Sequence, residues 1–297
     1  GSIAKMLLEN KLTKFQYFKY FFVKRFRVLN MGKTNVPRLL QLYRLIRDFL
    51  HCIESIFRDS PQILEFKYCF IDDILKYIND GGIPIFLEMK AELSLLKRDC
   101  WVQGVLANTD FKLIDKSFPK SNVKFTFDRL KESYKDENTF HENFVKSTSL
   151  LLALYNKSSD KKRRIVDILS LEIGMLHYQR GEYEKAVSLF DSCYEYYMET
   201  GWDIIGLKIV QMYYDSLIHC PQIKYLKRDD EDVSISIVLS TAFLNILRIS
   251  KDEDEKRQIW KKFFELQKEM ESPSLVYQTD GLSVSYTHLT LPTTERV

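Results

Sequence analysis

The five histidines, His51, His141, His177, His219 and His288, are the side chains best suited to hold a metal or move a proton, and their spacing serves neither purpose. A metal or acid-base centre needs imidazole, thiolate or carboxylate groups that converge on one point. His219 and Cys220 are adjacent at a helix end and point two ways. Asp72 and Asp73 could act as an acid pair only by meeting at one atom, and consecutive helical positions diverge by about 100°. Gly32-Lys33-Thr34 has the form of the end of a phosphate loop, yet the earlier glycine of that motif falls on Arg27. No Cys-x-x-Cys, Gly-x-Gly-x-x-Gly or Gly-x-Ser-x-Gly occurs. No catalytic, metal-binding or cofactor-binding residue is assigned, and no enzyme, metal or cofactor is expected.

Charge leaves surface chemistry to local patches. The 44 basic and 41 acidic residues leave a net +3, too near neutral for a dedicated nucleic-acid face, so no nucleic-acid partner is expected. Residues 1–33 hold eight Lys or Arg against Glu9 alone, interleaved with seven aromatics from Phe15 to Phe26. Such a mixture can meet an anionic membrane or nucleic acid, or it can cover a helix whose contacts belong to a longer protein. Lys24, Arg25 and Arg27 here, with Lys161, Lys162, Arg163 and Arg164 at a helix start, are the candidate membrane or partner contacts. The acidic run Asp229 to Asp232 reads as a solvated loop that could dock a basic partner.

The elements that must carry these residues are helices. Apolar residues make up 45% of the 297, with only ten glycines and seven prolines. Leu39, Tyr43, Ile46, Leu50, Ile53 and Phe57 form one stripe after Pro37, and Phe66, Phe70, Ile74 and Tyr77 a second, closed by Asn79-Asp80-Gly81-Gly82. Pro84 opens a third helix. Periodicity weakens over 107–122, read as a loop or seam between an N-terminal helical region, 1–106, and a second helical region, 123–280. Strand signal is absent from the native part before Gly281. Gly1-Ser2 resembles a protease scar, and 281–297, including SVSYTHLTLPTTERV, resembles vector or adaptor translation. No apolar run spans a bilayer, and the five separated cysteines fit buried, reduced thiols, so a soluble cytosolic protein is expected.

The sharpest pattern lies between Lys161 and Cys220. Ile165, Ile168, Leu169, Ile173 and Leu176 line one helix, and Tyr183, Ala186, Val187, Phe190 and Tyr197 the next. The short link Gln179-Arg180-Gly181-Glu182 forces a hairpin. A third helix should turn Ile205, Ile209, Met212 and Tyr213 inward. Gly174, Gly181, Tyr183, Ala186, Phe190 and Cys193 stand where a tetratricopeptide hairpin needs a close crossing, a turn, an aromatic wedge and a small residue. His177 replaces the usual tyrosine, and the closing proline is missing. One such hairpin cannot bury both faces, so an all-α solenoid of stacked hairpins with a single degenerate repeat is expected.

Leu171 to Phe190, followed by Tyr194-Glu195-Tyr196-Tyr197 and Gly201-Trp202, resembles the large subunits of the TRAPP vesicle-tethering complexes. The likeness is greatest to the fungal subunit specific to TRAPP II, and the foie-gras-type subunit of TRAPP III shares the layout. It is specific over about 168–220. It implies a solenoid segment of a longer subunit, with other TRAPP subunits as partners and a Rab-family GTPase engaged through the assembled complex. The implied place is the cytoplasm, peripheral to Golgi or endosomal membranes. In that family nucleotide exchange belongs to small core subunits, so the resemblance transfers no catalytic residue, and Trp202 is its marker position. A helical-repeat subunit of another assembly, closed by a winged helix, is the alternative, and an enzyme with an unrecognised site the alternative of another class.

Overall fold

The computed structural model describes residues 24, 36–56, 61–76, 84–114, 128–158, 163–199 and 203–269. The fold is all-α, of the solenoid type. Two compact units divide between Leu169 and Ser170.

In the first unit, α1 (Val36–Ile56), α2 (Pro61–Leu75) and α3 (Pro84–Asn108) follow one another. α2 and α3 open on a proline, whose missing N–H costs nothing in a first turn and whose fixed φ suits the helix. Leu42, Tyr43, Ile46 and Leu50 of α1 meet Ile63, Phe66, Phe70 and Ile74 of α2 and Phe86, Met89 and Leu93 of α3 in one core. Phe66 and Phe70 stack at 5.8 Å, and Tyr43 donates to Glu92. α3 also packs on α4 (Glu137–Ser158). Ala91, Leu151 and Tyr155, with Leu169 at the start of α5 (Arg163–Gln179), build a second core.

α4 starts where Asp136 accepts the Thr139 N–H at 2.7 Å, a side-chain cap that also holds the Asp136 carboxyl below its usual range. Phe140, Phe144, Leu151 and Tyr155 recur on its buried stripe. His141 donates from Nε2 to the Lys112 carbonyl at 2.8 Å, which spends this histidine on tying the segment after α3 to α4. A 3-10 helix, Asp128–Tyr134, precedes α4, and Trp101 donates to its Ser133 at 3.0 Å. Of the expected loop at 107–122, α3 continues through Asn108 and Leu113 is buried, while 115–122 lies outside the described residues.

The second unit contains the rest of α5, α6 (Tyr183–Glu199), α7 (Asp203–Ile218), α8 (Ile235–Ile249) and α9 (Glu253–Glu269). α6 packs on α7, α7 on α8, and α8 on α9. One core runs through them, from Ala186, Val187 and Phe190 to Val210 and Tyr213, then to Phe243, Ile246 and Phe263. Phe243 and Phe263 stack at 4.0 Å. Asp252 accepts the N–H groups of Asp254 and Glu255, and Glu253, Asp254 and Glu255 place negative charge at the positive end of α9.

Three readings of the sequence are corrected. The stretch read as a polar loop ending at Asp232, with no strand before Gly281, contains an antiparallel hairpin: β1 (Tyr225–Arg228) pairs with β2 (Glu231–Ser234). Asp229 and Asp230, at φ 47° and 66°, form the tight turn; two consecutive left-handed residues match the twist of the strands, and aspartate tolerates that region. Ile168 and Ile205, expected inward, are 39% and 40% exposed, since an apolar helical stripe is covered only where the neighbouring helix crosses it. Cys52, expected buried, is exposed, and Cys69 is half-buried. Among the described residues no helix is long and apolar enough to cross a membrane.

Candidate interaction site in the helical hairpin

The turn between α5 and α6 is built by backbone chemistry. The Glu182 N–H donates to the His177 carbonyl at 2.9 Å and the Gly181 N–H to the Tyr178 carbonyl at 3.0 Å. This paired closure needs a left-handed residue just past the helix, and Gly181 sits there at φ 73°. Four residues later the chain has reversed, and α6 returns along α5.

The crossing is close because Gly174 has no side chain. A Cβ there would lie 3.0 Å from Phe190 Cε1 and 3.3 Å from Leu189 Cβ, below ordinary carbon contact. Phe190, Ala186 and Cys193 are fully buried on the facing side of α6, and the Tyr178 ring meets Phe190 at 6.4 Å. Burying Phe190 is worth about 1.5–3 kcal/mol.

Outside the crossing, Glu182 gathers charge. Its carboxylate accepts from Arg180 Nε at 2.6 Å, Lys185 Nζ at 2.8 Å and His177 Nδ1 at 3.1 Å. The Lys185 hydrogen bond first, and the Arg180 guanidinium with it, hold Glu182 down at about 2 against the opposing effect of burial. Burial lowers His177 below the usual imidazole value even though Glu182 pulls the other way. Tyr183 stacks on His219 at 4.2 Å, and Tyr178 donates to Asp215 at 2.8 Å, so the turn is clasped to the end of α7. A hollow of about 580 Å³ opens beside it, bordered by Gly181, Lys185, His219 and Cys220. Burial pushes the Cys220 thiol up, away from the thiolate, and His219 spends Nδ1 on the Asp215 carbonyl at 2.7 Å. These contacts fix the turn.

A second polar cluster anchors the β-hairpin. Arg228 of β1 contacts Asp191 of α6 through Nη2 at 2.5 Å and Nε at 3.2 Å, Tyr213 donates to the same oxygen, and the guanidinium lies 5.8 Å from the Tyr194 ring centre. Burial opposes the charge on Arg228, but the Asp191 carboxylate outweighs it and raises the group above its usual value. Burial, then Asp191, pushes the Tyr213 hydroxyl up as well. Sequence reading missed Asp191 and Arg228. The available signal was one aspartate between Phe190 and Cys193 on an otherwise apolar face.

The hairpin residues Gly174, Gly181, Tyr183, Ala186, Phe190 and Cys193 thus meet around one crossing and one turn. Lys24 is an exposed helical residue, Arg163 begins α5 and Arg164 is exposed beside it. Arg25, Arg27, Lys161, Lys162, Trp202 and the stretch 281–297 lie outside the described residues. Among the described residues no group of three His, Cys, Asp or Glu is placed to hold a metal ion.

Residues 40–269 match the family model of the TR130 NTS domain. The chain belongs to the TR130 NTS family. Its similarity to the Trafficking protein particle complex II-specific subunit 130 of Saccharomyces cerevisiae is 48% identity over 283 residues, which is 95% of this chain and 26% of that protein. The chain therefore spans about a quarter of the length of that relative. The TR130 NTS match runs from α1 to the end of α9, so the resemblance read from 168–220 is one part of a likeness that includes both units. Between the two subunit types left open by the hairpin, the named relative is the one specific to complex II.

Proposed function

We propose that this chain is a non-catalytic scaffold segment of a TRAPP II-type tethering complex. It holds other TRAPP subunits, supports activation of a Rab-family GTPase through the assembled complex, and works in vesicle traffic peripheral to Golgi or endosomal membranes. The observation that carries this reading is the 48% identity sustained over 95% of the chain. The polar clusters agree with a scaffold: Glu182, Asp191, Arg228 and His219 are each spent on contacts that hold helix to helix or hairpin to helix.

The test has two parts. The tagged full-length protein, captured from its native cytosol, should bring down small TRAPP subunits in constant ratio, and their absence would overturn the assignment. The isolated chain should leave nucleotide release from Rab GTPases at its intrinsic rate, and exchange at catalytic concentration would reverse the non-enzyme reading. In the assembled complex, deletion of this segment should lower exchange or subunit recovery.

A further inference from the structure

In the first unit a groove of about 820 Å³ runs along α3 and α4, with Tyr68 and Leu75 of α2 and Leu130 and Ser133 of the 3-10 helix also in its lining. On α3 its wall runs from Lys90 to Trp101, about 16 Å of helix axis, and on α4 from Asn143 to Lys157, about 21 Å. Trp101, Leu150, Leu151 and Leu154 give it an apolar floor, and Leu150 is 61% exposed. Lys90, Lys97, Arg98, Lys146 and Lys157 are the charged residues that line it, with no Asp or Glu among the lining. Lys97 and Arg98 are held by Asp72 and Asp99, at 3.2 and 2.9 Å. Lys146 and Lys157 stand on the exposed surface of α4.

We propose that this groove binds an acidic amphipathic helix of a partner protein. Length, floor and charge each point to that occupant. About 16–21 Å accommodates three to four helical turns, so a helix laid along the groove can place apolar side chains at i, i+3 or i+4, and i+7 on the floor. Carboxylates on its flanks would meet Lys146 and Lys157 at the rim, where opposite charge orients the helix and speeds encounter. The site is a hollow lined by α2, α3, α4 and the 3-10 helix, which a flat anionic bilayer cannot enter as a helix about 10 Å wide can. The inference does not rest on the tethering-complex reading, and its failure would leave that reading untouched.

The test uses the full chain and a labelled, end-capped peptide of about 14 residues, with leucine at heptad a and d positions and glutamate on the flanks. Fluorescence anisotropy should give a dissociation constant of about 10 µM or tighter. The pair Lys146→Glu and Lys157→Glu should weaken it at least about tenfold and flatten its salt dependence, and Lys146→Ala with Lys157→Ala should act in the same direction. Leu150→Asp should weaken it at least about fivefold. All three positions are exposed, so circular dichroism melts should match the parent. The proposal is overturned if the peptide does not bind or if a scrambled peptide of the same composition binds equally. Vesicles rich in phosphatidylserine captured through Lys146 and Lys157, with the peptide ignored, would overturn it too.

Discussion

Gly174→Ala tests the hairpin crossing most sharply, because two effects of known sign oppose each other there. Alanine in a helix interior is favoured over glycine by about 1 kcal/mol, so on an open helix face the change would stabilise. Here the new methyl would lie 3.0 and 3.2 Å from Phe190 Cε1 and Cδ1, and 3.3 Å from Leu189 Cβ. Carbon atoms rest at about 3.5–4.0 Å, so the ring must move by roughly half an ångström or more. Phe190 is fully buried, and its displacement is passed to Tyr178 and the surrounding core. Overpacking of this kind costs about 1–3 kcal/mol, which leaves a net loss of about 1 kcal/mol, or a melting point lower by about 3 °C. Urea unfolding followed by circular dichroism would measure it. Phe190→Leu in the same background supplies the control: the smaller side chain should relieve the clash, and the double variant should be more stable than the sum of the single changes by about 1 kcal/mol. A Gly174→Ala variant stabilised by the full helix-propensity gain, with the two changes additive, would refute the close crossing.

Ala186→Glu should place a carboxylate without a partner at a fully buried position on α6 and remove cooperative unfolding of the second unit, read as a lost melting transition. Glu182→Gln should cost about 1 kcal/mol at pH 7 by thermal melt, because the carboxylate meets two cations at a partly exposed site. Since the folded-state value of about 2 lies below the usual 4.5, the contribution of Glu182 is complete above pH 4.5 and disappears as pH falls through 2, so the two melting curves should converge there. Asp230→Gly should raise stability by about 0.5–1 kcal/mol, since φ 66° strains any side chain and glycine accepts it freely; a lower melting point would contradict the turn geometry. Arg228→Ala should cost about 2 kcal/mol and leave Asp191→Asn with little further effect, a non-additivity that a double-mutant cycle resolves.

Much of this was legible in the residues, for local reasons. Helices declare themselves by apolar residues three and four apart, as Phe66, Phe70 and Ile74 or Phe140, Phe144 and Leu151 do, and a helix stop declares itself where Gly181 must take a positive φ. The contact between Gly174 and Phe190 was readable because a repeat motif encodes a tertiary contact in a fixed spacing. Ile168 and Ile205 were misjudged by the same logic: helical periodicity says that a face is apolar, while the angle at which the neighbouring helix crosses decides which edge of that face is covered. The β-hairpin escaped because its eight strand residues, half of them charged (Lys227, Arg228, Glu231 and Asp232), show no alternation, and because aspartate replaces the usual glycine in the turn.

By itself, then, the sequence determined the helical class, the hairpin at 165–200 and the tethering-complex likeness of 168–220, since each depends on neighbours within a few turns of chain. Only the tertiary structure decided that Asp191 and Arg228, 37 positions apart, hold the β-hairpin to α6, and that α2, α3, α4 and the 3-10 helix line a lysine-rimmed groove. Ion pairs and grooves of that kind arise where distant surfaces meet, and no residue spacing along a chain records which surfaces those will be.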